Sequence, residues 1–288
     1  MKDFEYLEPT SLRQALEWLN THRGRARVLA GGTDLFLRIR KQVFMPDYVI
    51  DLKRVAGLDY VTSDAQGSMR LGPTALQGEV ARSSVVQRTF PALAEAARWV
   101  GSVQTRNRAT VVGNLCNASP AADTAPALLA YGAQVKLASL QGERSVPLTD
   151  FFVGPGRTAL QDNELVAEVL LPAPMPQTGG AFFRRTRTAM DIALICGAAV
   201  LRLANGTCQD ATIALGAVGP TPLRATRAEQ ALRGQALTDR LLDEASRLAA
   251  EEARPIDDVR STAEYRREMV RVLTRRGLAQ AVERARGR

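Results

Sequence analysis

An α+β fold is expected, with a small parallel β-α-β unit at the start and an antiparallel sheet covered by helices at the end. Three patterns carry that expectation. Two short apolar runs, Arg27 to Ala30 and Tyr48 to Leu52, flank a helical stretch from Leu35 to Gln42, and strands joined by one helix lie parallel with a right-handed crossover. Two longer strand-like runs, Ile192 to Leu203 and Cys208 to Leu215, flank Asn205-Gly206, the dipeptide that a two-residue hairpin turn favours. Three helical patterns then close the chain.

Taken in order, residues 11 to 20 read as a helix, because Leu12, Ala15, Leu16 and Leu19 share one face and Ser11 stands at its start. The β-α-β unit follows, and from about residue 56 the patterns change. Met69 to Leu71 reads as a short strand, Leu76 to Arg82 and Pro91 to Val100 as helices, and Val135 to Ala138 with Ser145 to Leu148 as an antiparallel pair around Gln141-Gly142. Leu171 to Gly180 holds three prolines and two glycines and reads as a linker. After the hairpin, Arg227 to Arg233, Asp239 to Ala253 and Thr262 to Arg286 read as helices covering the sheet. In the last of these Tyr265, Met269 and Leu273 are expected as the buried stripe.

Two loops stand out. Ala30-Gly31-Gly32-Thr33-Asp34 lies between the first apolar run, which ends Val28-Leu29, and the helix from Leu35. Glycines let backbone N–H groups approach an anion, Thr33 adds a hydroxyl, Asp34 is placed to cap the helix, and a helix N-terminus favours negative charge. Thr110-Val111-Val112-Gly113-Asn114 is followed by Ala118-Ser119-Pro120-Ala121-Ala122-Asp123, small and hydroxyl residues that open a helical pattern ending near Tyr131. Two such loops suit a long diphosphate ligand. Neither G-x-G-x-x-G nor G-x-x-x-x-G-K-S/T occurs, which argues against a doubly wound dinucleotide fold and a P-loop nucleotidase.

Composition narrows the classes. The 288 residues are 45% hydrophobic, enough for a large core divided among two or three domains. The first residues lack a basic and apolar leader, and no apolar run is long enough to span a bilayer, so a cytoplasmic location is expected. Cys116, Cys196 and Cys208 have no C-x-x-C spacing, which argues against a disulfide framework or a cluster built by this chain alone. Cys116, inside the second loop, reads as a bystander. His22, the sole histidine, reads as part of an exposed turn. The net charge of +8, with nine arginines between Arg260 and Arg288, raises nucleic-acid binding. Interspersed Glu264, Glu268 and Glu283 and only 5% aromatic residues favour a solvated basic helix face instead.

The loops carry a family resemblance. Residues 30 to 35 resemble the first flavin loop of the FAD-binding medium subunits of the molybdenum hydroxylases, Ala-Gly-Gly, then Thr or His, Asp or Ser, and Leu. This group contains carbon monoxide dehydrogenase, xanthine dehydrogenase and several N-heterocycle dehydrogenases. Gln104, Arg106, Asn107, Ala109, Thr110, Gly113, Asn114, Ser119, Pro120 and Asp123 match the second family loop. Arg184 to Ala193 resembles the segment that passes the flavin ring, and Pro220 to Arg224 and Ser261 to Arg266 resemble two further signatures. Asn114 to Ala127 lacks the cysteine-rich insertion of the 4-hydroxybenzoyl-CoA reductases.

The resemblance implies a two-part FAD-binding domain of the vanillyl-alcohol-oxidase/PCMH type, residues 1–55 and 56–175, and a C-terminal domain of the carbon monoxide dehydrogenase flavoprotein type, residues 176–288. It implies FAD in this chain, with Val28 to Asp34 and Thr110 to Asn114 on the diphosphate and ribityl chain. Ala118, Ser119, Ala122 and Asp123 would be near pyrophosphate and sugar, and Leu165, Arg184, Asp191 and Ile192 near the ring. A surface ion pair between Arg184 and Asp191 is the competing structural account. The implied partners are a large subunit with the molybdopterin cofactor, which would choose the substrate, and a small subunit with two 2Fe-2S clusters, in a dimer of heterotrimers. The chain would pass electrons from those clusters to an external acceptor and would not bind nucleic acid. Val112 departs from the pattern, standing where the family has the first glycine of Gly-Gly-Asn, and a β-branched residue is costly wherever φ is positive. That departure motivates one alternative, a flavin-free scaffold subunit; a stand-alone flavin oxidoreductase is a further one.

Overall fold

The computed structural model describes residues 2–287. Its first sheet is β1 (Glu5–Leu7), β2 (Ala26–Leu29) and β3 (Tyr48–Asp51), all parallel in the order β1-β3-β2. Helix α1 (Leu12–Thr21) follows β1; Ser11 starts it by accepting a hydrogen bond from the Gln14 N–H, and Ala15, Leu16 and Leu19 are its buried face. Helix α2 (Leu35–Arg40) is the crossover between β2 and β3. The expected β-α-β unit is present, with β1 added at the edge; three residues are too few to show a period in sequence. His22 does not sit in a fully exposed turn. It is half-buried at the end of α1, its ring stacked 3.7 Å from that of Tyr48.

The second sheet is antiparallel and five-stranded. It contains β4 (Val61–Ser63), β5 (Met69–Leu71), β6 (Gln134–Ser139), β7 (Gly142–Pro147) and, after the small pair β8 (Phe152–Gly154) and β9 (Arg157–Thr158), β10 (Leu165–Leu171). The order is β4-β5-β10-β6-β7, so β10 is the central strand. Between β5 and β6 run α3 (Gln77–Arg82), α4 (Ser84–Thr89), α5 (Pro91–Arg98), α6 (Val103–Arg106), α7 (Val111–Asn117) and α8 (Thr124–Ala130); α9 (Leu148–Phe151) follows β7. The alanine-rich faces of α5 and α8 are almost wholly buried, which lets them pack closely in the core below this sheet.

The third sheet, β11 (Thr178–Arg185), β12 (Ile195–Ala204), β13 (Thr207–Gly216) and β14 (Leu223–Arg224), is antiparallel in chain order. Asn205 and Gly206 turn the expected hairpin with φ of 50° and 78°. Helices α10 (Thr226–Leu232), α11 (Asp239–Glu252) and α12 (Ala263–Ala285) cover it, the last two started by the hydroxyls of Thr238 and Thr262. The fully buried stripe of α12 is the neighbouring row Arg266, Val270, Thr274, Gly277, Leu278 and Ala281; of the expected stripe, Met269 and Leu273 pack half-buried against the same core and Tyr265 is exposed. On its outer side, Arg271 pairs with Glu268, and Arg275 with Asp239 and Asp243; Arg288 lies outside the described residues.

The segment expected as a linker is shorter than Leu171 to Gly180, because Gly179 and Gly180 belong to β11. They are glycines for packing. A Cβ on Gly179 would lie 2.0 Å from the Ala281 carbonyl oxygen of α12, and one on Gly180 would lie 2.1 Å from the Tyr131 hydroxyl. Gly179→Ala is therefore expected to lower the unfolding free energy by about 1–3 kcal/mol. Gly154→Ala, where a Cβ meets nothing within 4 Å, should change it by about 0.5 kcal/mol or less. Urea unfolding of the two variants checks the pair.

Candidate functional site

The first loop leaves the C-terminal end of β2 and enters α2. Leu29 is directed away from the site into a small core with Ile39 and Val49. The two glycines answer different demands. A Cβ on Gly31 would lie 2.1 Å from the Arg108 carbonyl oxygen and 2.9 Å from the Ala109 Cα, so the second loop crosses directly over this residue. Gly32 has a φ of +78°, which disfavours any side chain. Among the described residues the N–H groups of Gly31, Gly32, Thr33 and Asp34 have no hydrogen-bond acceptor, and the following Phe36 N–H bonds to the Gly32 carbonyl. Asp34 stands at the N-cap position, yet its side chain makes no capping bond, and burial pushes its carboxyl up.

The second loop is in fact the start of a helix. Thr110 is the N-cap of α7, its hydroxyl accepting from the Gly113 N–H at 2.9 Å, and Val111 and Val112 are the first helical residues. Val112 is absent from the residues with positive φ, so the expected backbone cost does not arise, and its side chain packs in the core. A Cβ on Gly113 would lie 2.8 Å from the Thr110 hydroxyl, so a side chain here would press on the capping group. The start of α7 is tied to α3 through Gln77 N–H to the Ala109 carbonyl, 2.9 Å, and Val111 N–H to the Ala75 carbonyl, 3.1 Å. Asn114 accepts from the Thr124 hydroxyl at 2.7 Å and so joins α7 to α8.

Between the two loops lies a cavity of about 390 Å³. Of the residues predicted from sequence, Val28, Ala30, Gly31, Gly32, Thr33, Asp34, Thr110, Val112, Gly113, Asn114 and Leu165 line it. Val111 is on the opposite, fully buried side of α7. Sequence reasoning missed Arg27, Arg38 and Phe44, which also line the cavity, with the two guanidiniums 4.9 and 5.4 Å from the Phe44 ring centre. The alternation of Arg27 with Val28 in a strand was the one available signal. Cys116 faces the cavity, and burial pushes its thiol up to about 12, so it stays protonated.

Ala118, Ser119, Ala122, Asp123, Arg184, Asp191 and Ile192 are not on the cavity wall. Asp123, Arg184, Asp191 and Ile192 meet at a second centre, where Arg184 Nε donates to Asp123 Oδ1 at 2.8 Å with both side chains buried. Arg184 Nη2 donates to the backbone carbonyl of Asp191 at 2.6 Å, while Nη1 is buried without a partner among the described residues. The expected surface pair between Arg184 and Asp191 is therefore corrected: the Asp191 carboxylate takes Arg187 Nε and the Ile192 N–H. Ala118 ends α7 with a φ of 47°, its carbonyl accepts from the Gly156 N–H, and the Ser119 hydroxyl accepts from the Ala121 N–H. Trp99 lies over the Arg184 guanidinium at 5.5 Å, and its neighbour Val100 lines the cavity, so the two centres share one wall. Burial pushes the Asp123 carboxyl up to about 6, against the attraction and hydrogen bond of Arg184.

Together these features suit an elongated anionic ligand: free N–H groups and a helix start in the middle, two guanidiniums on the cavity wall, and a buried donor at the second centre. Among the described residues no group of three His, Cys, Asp or Glu could hold a metal ion, and no helix is long and apolar enough to cross a membrane.

Known proteins resemble this chain in sequence and fold. Residues 2–174 match the family described as FAD binding domain in molybdopterin dehydrogenase, and residues 181–281 match the CO dehydrogenase flavoprotein C-terminal domain. The chain is 33% identical over 291 residues to a xanthine dehydrogenase FAD-binding subunit of Escherichia coli, covering 100% of this chain and 99% of that one. It is 31% identical to the carbon monoxide dehydrogenase medium chain of Hydrogenophaga pseudoflava, covering 96% of each. Among solved structures, a carbon monoxide dehydrogenase from Hydrogenophaga pseudoflava that lacks the Mo-pyranopterin moiety superposes with a TM-score of 0.93, at 33% identity and 98% coverage of both chains.

Two outcomes test the geometry. Gly31→Ala should separate the crossing loops and cost about 2 kcal/mol in urea unfolding. The raised Asp123 pKa gives a pH dependence of definite sign. The folded carboxyl holds its proton to about pH 6 and the unfolded one only to about 3.8, so this group's contribution is full below pH 3.8 and is lost as pH rises through 6. The stability difference between the wild type and Asp123→Asn should therefore fall between pH 4 and 6 and level off above; urea midpoints across that range measure it.

Proposed function

We infer what the chain does from what it is: it belongs to the FAD-binding subunits of the molybdenum hydroxylases, matched along nearly its whole length. We propose that it binds FAD along the cavity and carries electrons from the iron-sulfur clusters of a partner subunit to an external acceptor. The observation that carries this reading is the row of N–H groups from Gly31 to Asp34, which meet no acceptor among the described residues and border the cavity. A diphosphate supplies acceptors for them, and the start of α7, with Thr110, Gly113 and Asn114, supplies further dipoles. On this reading residues 1–55 and 56–175 form the two parts of the FAD-binding domain, and residues 176–288 bring Arg184 to the ring.

The bound flavin supplies the redox chemistry, taking up and releasing electrons at its ring. This chain's residues hold and tune it. The unpartnered Nη1 of Arg184 offers a hydrogen bond, and its charge favours the anionic reduced form over the oxidised one. Ser119, Ala122, Asp123, Asp191 and Ile192 would shape that end, and Trp99 would cover Arg184 from outside. The remaining partners would be a large subunit with the molybdopterin cofactor, which oxidises the substrate, and a small subunit with two 2Fe-2S clusters. A dimer of heterotrimers in the cytoplasm is the assembly we propose.

The test is the visible spectrum of the purified chain after FAD addition and gel filtration. Retained oxidised-flavin bands are expected in the wild type, and Gly31→Ala should weaken retention at least tenfold. Val112→Gly should bind no better than the wild type, because Val112 is helical, and should lose about 2–4 kcal/mol of stability, since core packing and helix propensity both go. A colourless wild type alongside a yellow Val112→Gly variant would defeat the proposal in favour of a flavin-free scaffold.

A further inference from the structure

We propose that Arg266 is a positioning residue for the flavin environment: it clamps the two backbone segments that set the Asp123–Arg184 pair and thereby tunes the reduction potential. The inference rests on the proposed placement of Arg184 beside the flavin ring. Arg266 lies in the first turn of α12 and is 3% exposed. A guanidinium so deeply buried is costly unless its donors are used; here both Nη groups are used, while Nε is buried without a partner among the described residues. Nη1 donates to the carbonyls of Leu194, at 2.9 Å, and Ala217, at 3.2 Å, and Nη2 donates to Asp258 Oδ1 at 2.7 Å.

Each of those carbonyls belongs to a residue that reaches one member of the pair. Leu194, just before β12, donates its N–H to the Arg185 carbonyl at 2.8 Å, next to Arg184. Ala217, just after β13, has a φ of +64°, rare for a residue with a side chain, and donates its N–H to the Pro120 carbonyl at 2.6 Å, three residues before Asp123. One fork thus meets both flanks. The interior between them has little slack: Arg184, Cys196 and Gly216 are cross-strand partners in one row, and a Cβ on Gly216 would lie 2.8 Å from Cys196 Sγ. Asp258 orients the fork. It also accepts from the Arg260 N–H and side chain, and although burial alone raises its carboxyl, these bonds and that from Arg266 lower it to about 2. A lysine ammonium lacks the planar fork that serves two carbonyls and a carboxylate at once.

The experiment is the two-electron midpoint potential of the FAD-loaded full chain, with FAD affinity and thermal unfolding measured in parallel. It compares the wild type, Arg266→Lys, Asp258→Asn, Arg184→Lys and the Arg184→Lys/Arg266→Lys double variant. Arg266→Lys and Asp258→Asn are expected to keep FAD and the fold while the preference for reduced flavin falls about tenfold, a potential about 30 mV more negative. Arg184→Lys should shift the same way, and the double variant should shift no further than Arg184→Lys alone, since both act through one cation. An unchanged potential in Arg266→Lys and Asp258→Asn, beside a shift in Arg184→Lys, overturns the inference alone. So does loss of the fold in both, which makes Arg266 a structural post. No shift in Arg184→Lys overturns the placement of Arg184 and the inference with it, and a wild type that binds no FAD overturns the proposed function itself.

Discussion

The rest of the site depends on one close approach, the second loop crossing Gly31 with the Arg108 carbonyl 2.1 Å from where a Cβ would stand. No other residue type permits that crossing, because the obstacle is backbone and cannot rotate aside. The crossing brings the unpaired N–H groups of the first loop opposite the start of α7, although the two come from different sheets and lie some eighty residues apart in the chain. Hydrogen bonds from Gln77 and Val111 then hold the second loop against α3 and the core beneath. The cavity is the space these two rigid backbones leave between them, lined by loops whose polar groups await a partner.

Leaving such groups unpaired has a cost. Arg184 is buried with one nitrogen unpartnered, in a pair whose carboxylate is itself pushed toward neutrality by burial. Desolvating both charges outweighs much of their attraction. A packed apolar pair would satisfy the core equally well, so under the proposed function the burial of Asp123 and Arg184 serves the ring and not the core. The unpaired N–H groups of the first loop make the same point at the other centre.

Much of the fold was legible because local chemistry and global architecture agreed. Ser11, Thr238 and Thr262 start helices where the hydroxyl and the apolar period both say so, and Asn205-Gly206 turns its hairpin with the dihedrals that the dipeptide favours. The failures have physical causes. Leu165 to Leu171 is a central strand whose alternation is hidden, because both faces are buried and Glu168 is neutralised by Arg70 and hydrogen-bonded by Tyr60. Gly179 and Gly180 imitate a linker because packing against a helix and turning a chain both call for the absence of a side chain. The stripe on α12 was displaced by one residue because Arg266 and Thr274, polar by type, are buried by tertiary contacts. In the site, most motif residues of the two loops line the cavity, with Leu29 and Val111 turned into the core, while Arg27, Arg38 and Phe44 were not legible, since nothing in their spacing ties them to a ligand.

The two centres divide their origins along the chain in a way that bears on how such a subunit evolves a task. The N–H cradle is built from the first sheet and from α7, both before residue 118, whereas the buried cation arrives on β11 and meets Asp123 only because α8 packs on β12 and β13. Under the proposed function, the first set governs how tightly a diphosphate is held and the second governs the energy of the ring. Affinity depends on backbone that scarcely tolerates change, and potential depends on one charge whose surroundings can shift by small side-chain adjustments. A family serving different electron acceptors would then vary the ring-side shell and keep the crossing at Gly31. That separation follows from geometry: the cradle is made of main chain, and the tuning is made of side chains.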